Sequence, residues 1–130
     1  MYPGAIVVDD PRVAVAGADV VVTAGPIVRD PPSPLDESWV EDDVLLLPID
    51  FDFYVSADAV AACDLFLSDD VAQFEAYREH GYFRSWPDPY GSVGEGLEQE
   101  LRARRVVCAN LGVGALDAAF AHAVLTRVPD

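Results

Sequence analysis

The chain has no lysine. Its eight basic residues are all arginine, set against 23 acidic ones, for a formal net charge of −15 across 130 residues. A Schiff-base lysine, a phosphate-loop lysine and a lysine nucleophile are therefore excluded within it. Nonspecific affinity for nucleic acid rests on neutralising phosphates with Lys and Arg, so this composition argues against a polyanionic partner. The acidity reads most simply as a solvated surface that keeps the chain soluble, and the cluster Glu37, Glu41, Asp42 and Asp43 reads the same way.

Cysteine and histidine are scarce as well, with two of each. Cys63 and Cys108 lie in apolar surroundings, far apart and without metal-ligand spacing, and read as buried core thiols in a reducing cytoplasm. His80 falls near a predicted helix C-terminus and His122 within a helix; neither has partners at ligand spacing, so no metal site is expected. No stretch approaches 18 uninterrupted apolar residues, and no basic segment precedes an apolar run at the N-terminus. Neither membrane insertion nor secretion is expected. The length suits one domain, with a core burying roughly two thirds of the unfolded chain's surface.

What the chain does have is three apolar strands, each ending at a polar or glycine-bearing turn. They are 20–26 (Val-Val-Val-Thr-Ala-Gly-Pro), 45–50 (Leu-Leu-Leu-Pro-Ile-Asp) and 106–114 (Val-Val-Cys-Ala-Asn-Leu-Gly-Val-Gly). Alternation of such strands with helical segments predicts an α/β fold: a Rossmann-like parallel sheet with flanking helices, because parallel strands need crossovers and are buried on both faces. Ligands of open α/β sheets bind outside the carboxyl ends of the strands, so Thr23, Asp50 and Asn110 should converge on one rim.

Around these strands, residues 5–8 read as a short strand, and Asp10 and Pro11 as N-cap and first residue of a helix over 12–16 that Gly17 ends. Four prolines between 25 and 34 demand a loop. Ser56 can cap a helix over 57–62, residues 65–67 form a strand, and residues 68–70 cap a helix over 71–79 that Gly81 terminates. An amphipathic helix over 93–104, a strand over 106–109 and an apolar helix over 115–125 complete the pattern.

Each candidate site residue has a structural alternative. Asp50 sits at the mouth of the sheet, where burial can tune a carboxylate for acid–base work; it can equally cap a helix or form a turn, and Asp52 is its rival. Thr23 can donate to a ligand or satisfy local backbone, and Asn110 is similar. The 112–114 Gly-Val-Gly turn opens a helix, but Asp117 stands where a third glycine would, so close packing on the sheet competes with phosphate binding. The aromatic run 51–54 can line a pocket or cover the core.

The run 18–24 (Ala-Asp-Val-Val-Val-Thr-Ala) with its following proline, Trp39 ahead of a strand ending in Asp50, and 110–119 (Asn-Leu-Gly-Val-Gly-Ala-Leu-Asp-Ala-Ala) together resemble the ornithine cyclodeaminase / mu-crystallin family. The resemblance spans nearly the whole chain in order. The segments 49–54, 68–75 and 86–89 are closer to a subgroup of that family known as tyramine oxidase subunits. The family resemblance implies an incomplete NAD(P)-binding domain over 1–130, corresponding to the later part of the family's domain. The first glycine-rich βα unit and the N-terminal substrate and dimerisation region have no counterpart.

By that resemblance Asp50 is the catalytic aspartate that engages a substrate amine. Thr23 and Ala24 lie along the cofactor, NAD(H) or NADP(H), and Asn110, Leu111 and Gly112 lie near the nicotinamide. The implied activity is deamination and cyclisation of an amino acid, or related imine and amine redox chemistry, expected to be absent from this chain alone. The alternative is a noncatalytic companion subunit of an amine oxidase, or a small-ligand-binding module. Gly25 and Ile27 replace the usual Thr and Ser, and 51–53 (Phe-Asp-Phe) replaces a Pro-Gly turn. With residues 5–8 as third strand and 20–23 as fourth, the lacking strands leave an exposed apolar edge, inviting homo-oligomerisation or a complementary polypeptide.

Overall fold

The computed structural model describes residues 4–28, 34–99 and 101–127. Its centre is a five-stranded, all-parallel sheet flanked by helices, an α/β fold. In chain order the elements are α1 (Pro11–Val15), β1 (Val20–Thr23), a 3-10 turn (Glu37–Trp39), β2 (Val44–Pro48), α2 (Ala57–Ala61), β3 (Leu65–Ser68), α3 (Val71–Glu79), β4 (Gly91–Ser92), α4 (Val93–Glu98), β5 (Arg105–Ala109) and α5 (Gly114–Leu125).

Local chemistry starts and stops most helices where expected. Asp10 accepts from the Arg12 amide with Pro11 at the first helical position, Ser56 accepts from Ala59, and Asp70 accepts from Gln73, each satisfying an amide that has no intrahelical partner. Gly17 and Gly81 adopt φ of +71° and +98° just beyond α1 and α3, a conformation that costs a side-chain-bearing residue energy.

The strands run in the order β1-β2-β5-β3-β4. The first three crossovers step the same way across the sheet and the return from β4 to β5 steps back. Right-handed connections therefore put them on opposite faces. On the covered face, Val21, Val44, Leu46, Phe66, Val107 and Ala109 pack with Val15 of α1, Ala59 and Val60 of α2 and Phe74 of α3 in one core. Phe66, Phe74, Phe83 and Trp86 meet there with ring centroids 4.7–5.6 Å apart. The other face carries α4, whose Gly96 lies so close to Leu67 that a Cβ would contact its Cδ1 at 2.9 Å.

Three expectations change. Residues 5–8 form no strand, because no ladder pairs with them, and Ile6 and Val7 are exposed. The helix expected over 93–104 ends at Glu98. Ser92 and Glu95 form a capping box at its start, but it contains two glycines, and the Arg104 and Arg105 amides donate to the Asp64 carboxylate instead of continuing it. Cys108 is buried, whereas Cys63 is half-buried. The free edge expected at residues 20–23 is present: among the described residues β1 pairs with β2 alone.

Candidate functional site

Because β1, β2 and β5 are adjacent and parallel, their carboxyl ends share one rim. Thr23 closes β1, Asp50 follows β2 and Asn110 follows β5, and the ladder extends through them: Ile49 donates to Thr23 O and Asn110 to Pro48 O, both at 3.0 Å. All three thus stand on one rim, as the strand pattern predicts, but only Thr23 and Asp50 are in contact; Asn110 is joined through its backbone.

Asp50 is only 3% exposed. Its Oδ1 accepts the Thr23 hydroxyl at 2.6 Å and its Oδ2 accepts the Gly25 amide at 2.9 Å. A buried carboxylate needs such charge-assisted donors, which are short and strong. Thr23 spends its only hydroxyl proton on Asp50, so its oxygen retains acceptor capacity alone. Asp52, the rival carboxylate, is committed elsewhere. Its Oδ2 accepts the Phe83 amide at 2.6 Å, holding a turn in which Phe83 has φ +51°.

In front of Thr23 lies a cleft of about 220 Å³ lined by Thr23, Ala24, Gly25, Trp39, Tyr54 and the Pro11–Val15 helix among others. Tyr54 closes it by donating its hydroxyl to Pro26 O at 3.1 Å. A Cβ at Gly25 would overlap the Tyr54 ring, so a side chain there requires the ring or the backbone to shift. Arg12 stacks its guanidinium 5.0 Å from the Trp39 ring. Of the aromatic run, Tyr54 lines this cleft, whereas Phe51, at φ +63°, turns into the packing of Tyr77, Tyr82 and Phe83.

In the last turn the backbone amides are already engaged within the chain. The Leu111 and Gly112 amides both donate to Asp69 Oδ2 at 2.9 Å, and Gln73 Nε2 donates to Gly112 O at 3.3 Å. A protein carboxylate thus occupies the position an anionic ligand would need. Asn110 donates its side-chain amide to Cys108 O at 2.8 Å. In the sequence Asp69 reads only as part of the α3 cap; the doubled acid 69–70 after a strand is the one signal, one carboxylate serving the cap and the other the neighbouring strand's turn.

Among the described residues, no group of three or more His, Cys, Asp or Glu is placed to hold a metal ion. His80 bonds through Nδ1 to Ala76 O at the end of α3, and His122 lies exposed on α5. No helix among them is long and apolar enough to cross a membrane.

No protein-family model matches the chain. It is 32% identical over 129 residues to the nodulation efficiency protein NfeD of Rhizobium meliloti, an alignment that covers 90% of this chain and 38% of that protein. The crystal structure of CmnK superposes with a TM-score of 0.66 at 20% identity, over 94% of this chain and 40% of that one. The chain therefore spans about two fifths of each. The likeness to CmnK is one of fold.

Proposed function

We propose that the rim formed by Thr23, Asp50 and Asn110 is the nicotinamide end of an NAD(P)-dependent site of ornithine cyclodeaminase type, acting on a small amino acid or amine. The observation that carries this reading is the Thr23–Asp50 hydrogen bond at the carboxyl ends of adjacent parallel strands, beside a cleft with aromatic walls. Thr23 can accept an N–H from a substrate amine or a carboxamide. Where the donor is a substrate ammonium, Thr23 takes its proton and passes its own to Asp50, leaving a neutral amine and a protonated, buried carboxyl.

The fit to a dinucleotide is partial. Trp39, Ala24 and Tyr54 offer the flat apolar walls that a nicotinamide ring needs, and bound there it would supply hydride exchange. The pyrophosphate has no such provision: Asp69 already takes the Leu111 and Gly112 amides, and α5 starts at Val113 without a side-chain cap. The chain's own residues therefore orient the amine and hold its proton, and a complementary polypeptide would hold the phosphates.

One observation favours the second reading, a noncatalytic companion subunit of an amine oxidase or a small-ligand-binding module. Both Asp50 oxygens are satisfied internally and no charged side chain lines the cleft among the described residues. Energy transfer from Trp39 to NADH tests both, with Asp50→Asn as control. Saturable binding in the micromolar range that Asp50→Asn weakens supports the redox reading. Absence of NADH binding, with an aromatic amine still quenching Trp39, supports the second.

A further inference from the structure

The segment that follows β2 borders two cavities. Tyr54 lines the cleft at Thr23, whereas its neighbours Asp52, Phe53 and Ser56 line a separate cavity of about 520 Å³, completed by Arg84, Ser85 and Trp86 from the chain that follows α3. The two cavities share no lining residue. The second has the size of a small-molecule site, whose usual range is about 300–1,000 Å³. Trp86 is buried, and its ring packs against Phe66 and Phe83, which fixes that wall in place.

Both signs of charge line this cavity without pairing. Asp52 is half-buried, and its Oδ2 accepts the Phe83 amide, while its Oδ1 has no partner among the described residues. Arg84 folds its guanidinium back over Gly81, so closely that a Cβ there would meet Nη2 at 2.7 Å. Arg78 and Arg105 are tied to carboxylates and to backbone carbonyls, but Arg84 has neither an ion pair nor a hydrogen bond among the described residues. Ser56 accepts the Ala59 amide and keeps its hydroxyl proton to donate.

From this juxtaposition we infer that the cavity binds an α-amino acid with an apolar side chain, in its zwitterionic form. The Arg84 guanidinium takes the carboxylate, for which its planar fork is suited, with the Ser56 hydroxyl as a further donor. Asp52 Oδ1 accepts from the ammonium, and the side chain lies against Phe53 and Trp86. A ligand carrying both charges is the class that satisfies both walls: a simple anion would meet Asp52 unpaired, and a simple amine would meet Arg84. A neutral zwitterion also avoids the repulsion that a net charge of −15 exerts on anions. This site takes no part in the proton transfer at Thr23 and Asp50 and stands apart from it.

Calorimetric titration of the full chain with L-phenylalanine tests this. We expect one site that saturates below about 1 mM. Arg84→Gln and Asp52→Asn should each weaken it at least about tenfold, and phenethylamine and hydrocinnamate, which each lack one charge, should be weakened to a similar degree. Arg84 is exposed, and Asp52→Asn keeps an oxygen for the Phe83 amide; circular dichroism verifies that each variant is folded. The Trp86 indole resonance should shift on binding, and Thr23→Val should leave the affinity unchanged. Absence of both heat and resonance shift overturns the proposal. So does an affinity that Arg84→Gln leaves intact, phenethylamine bound as tightly as the amino acid, or binding that Thr23→Val abolishes and Arg84→Gln does not, which would put the ligand in the other cleft. Loss of NADH binding has no bearing on these readings, so the failure of one site is distinguishable from the failure of the other.

Discussion

Thr23 and Asp50 lie 27 positions apart in the chain and share a 2.6 Å hydrogen bond across the ends of two neighbouring strands. With the Gly25 amide on its other oxygen, Asp50 has the minimum that a buried carboxylate requires. Thr23→Val keeps the shape and removes the donor. It should cost about 1.5–3 kcal/mol in urea unfolding, the range for hydrogen bonds to charged groups, while Thr23→Ser should lose less than half of that. Equal loss in both variants would mean that the threonine methyl, not the hydroxyl, carries the effect.

Asp69 reaches further still, linking the end of β3 to the turn after β5. Three backbone amides, Asp70, Leu111 and Gly112, donate to it. Asp69→Ala leaves all three without that acceptor, and we expect a loss of about 2–4 kcal/mol. Amide hydrogen exchange should speed up at Leu111 and Gly112 specifically. Protection unchanged at those two positions would show that the turn holds without the carboxylate.

These two residues mark the boundary of what was legible beforehand. Asp10, Pro11, Gly17, Ser56, Asp70 and Gly81 were readable because a cap or a positive-φ terminator is decided within a few residues. The rim of Thr23, Asp50 and Asn110 was readable because parallel strands all end on the same side. The partners of Asp52 and Asp69 were not, since they lie 31 and 42–43 residues away and depend on which strands are neighbours. That order was itself hidden. β2, β3 and β5 are all mainly apolar, so composition does not tell which sits in the middle, and the two-residue β4 is too short to leave a pattern. Residues 5–8 have strand composition and no partner, and composition alone does not make a ladder.

Acid should destabilise the fold through three carboxylates. Backbone hydrogen bonds from Arg105 and Arg104 hold Asp64 below the ordinary 3.8, the Ser38 hydroxyl and amide hold Asp36 below it, and the Ser92 amide and hydroxyl hold Glu95 below 4.5. A depressed folded-state value means that the unfolded chain binds the proton first. The stabilisation is therefore present above those ordinary values and is lost as the pH falls through the lower, folded ones. Melting temperature against pH should drop below about pH 4, and Asp64→Asn should flatten that limb while lowering stability at neutral pH. An acid limb unchanged in Asp64→Asn would remove Asp64 from the account.

Cys63 gives the opposite sign at the alkaline end. Burial, offset in part by Arg105, pushes its thiol up from 9.0 to about 11, and its Sγ donates to Ala59 O at 3.2 Å. The raised value contributes stability that is whole below the unfolded thiol's ionisation and lost as the pH climbs through the folded one. Since the thiolate is the nucleophile, alkylation at pH 8 should run about a hundredfold slower than for an unfolded thiol, and denaturant should abolish the difference. Rapid alkylation of folded protein at Cys63 would contradict the burial.

Gly25 and Tyr54 test the cleft by steric means. A methyl group at Gly25 has no room against the Tyr54 ring, so Gly25→Ala must displace the ring or the backbone that donates to Asp50. Overpacking of this kind costs about 1–3 kcal/mol. If the ring is what yields, Gly25→Ala combined with Tyr54→Ala should recover most of the loss, because the smaller side chain vacates the space the methyl needs. A double variant as unstable as the sum of its parts would instead show that the cost of Gly25→Ala does not arise from the Tyr54 ring. Urea unfolding of the two single variants and the double one separates these cases, and Trp39 fluorescence reports in the same experiment whether the cleft has opened.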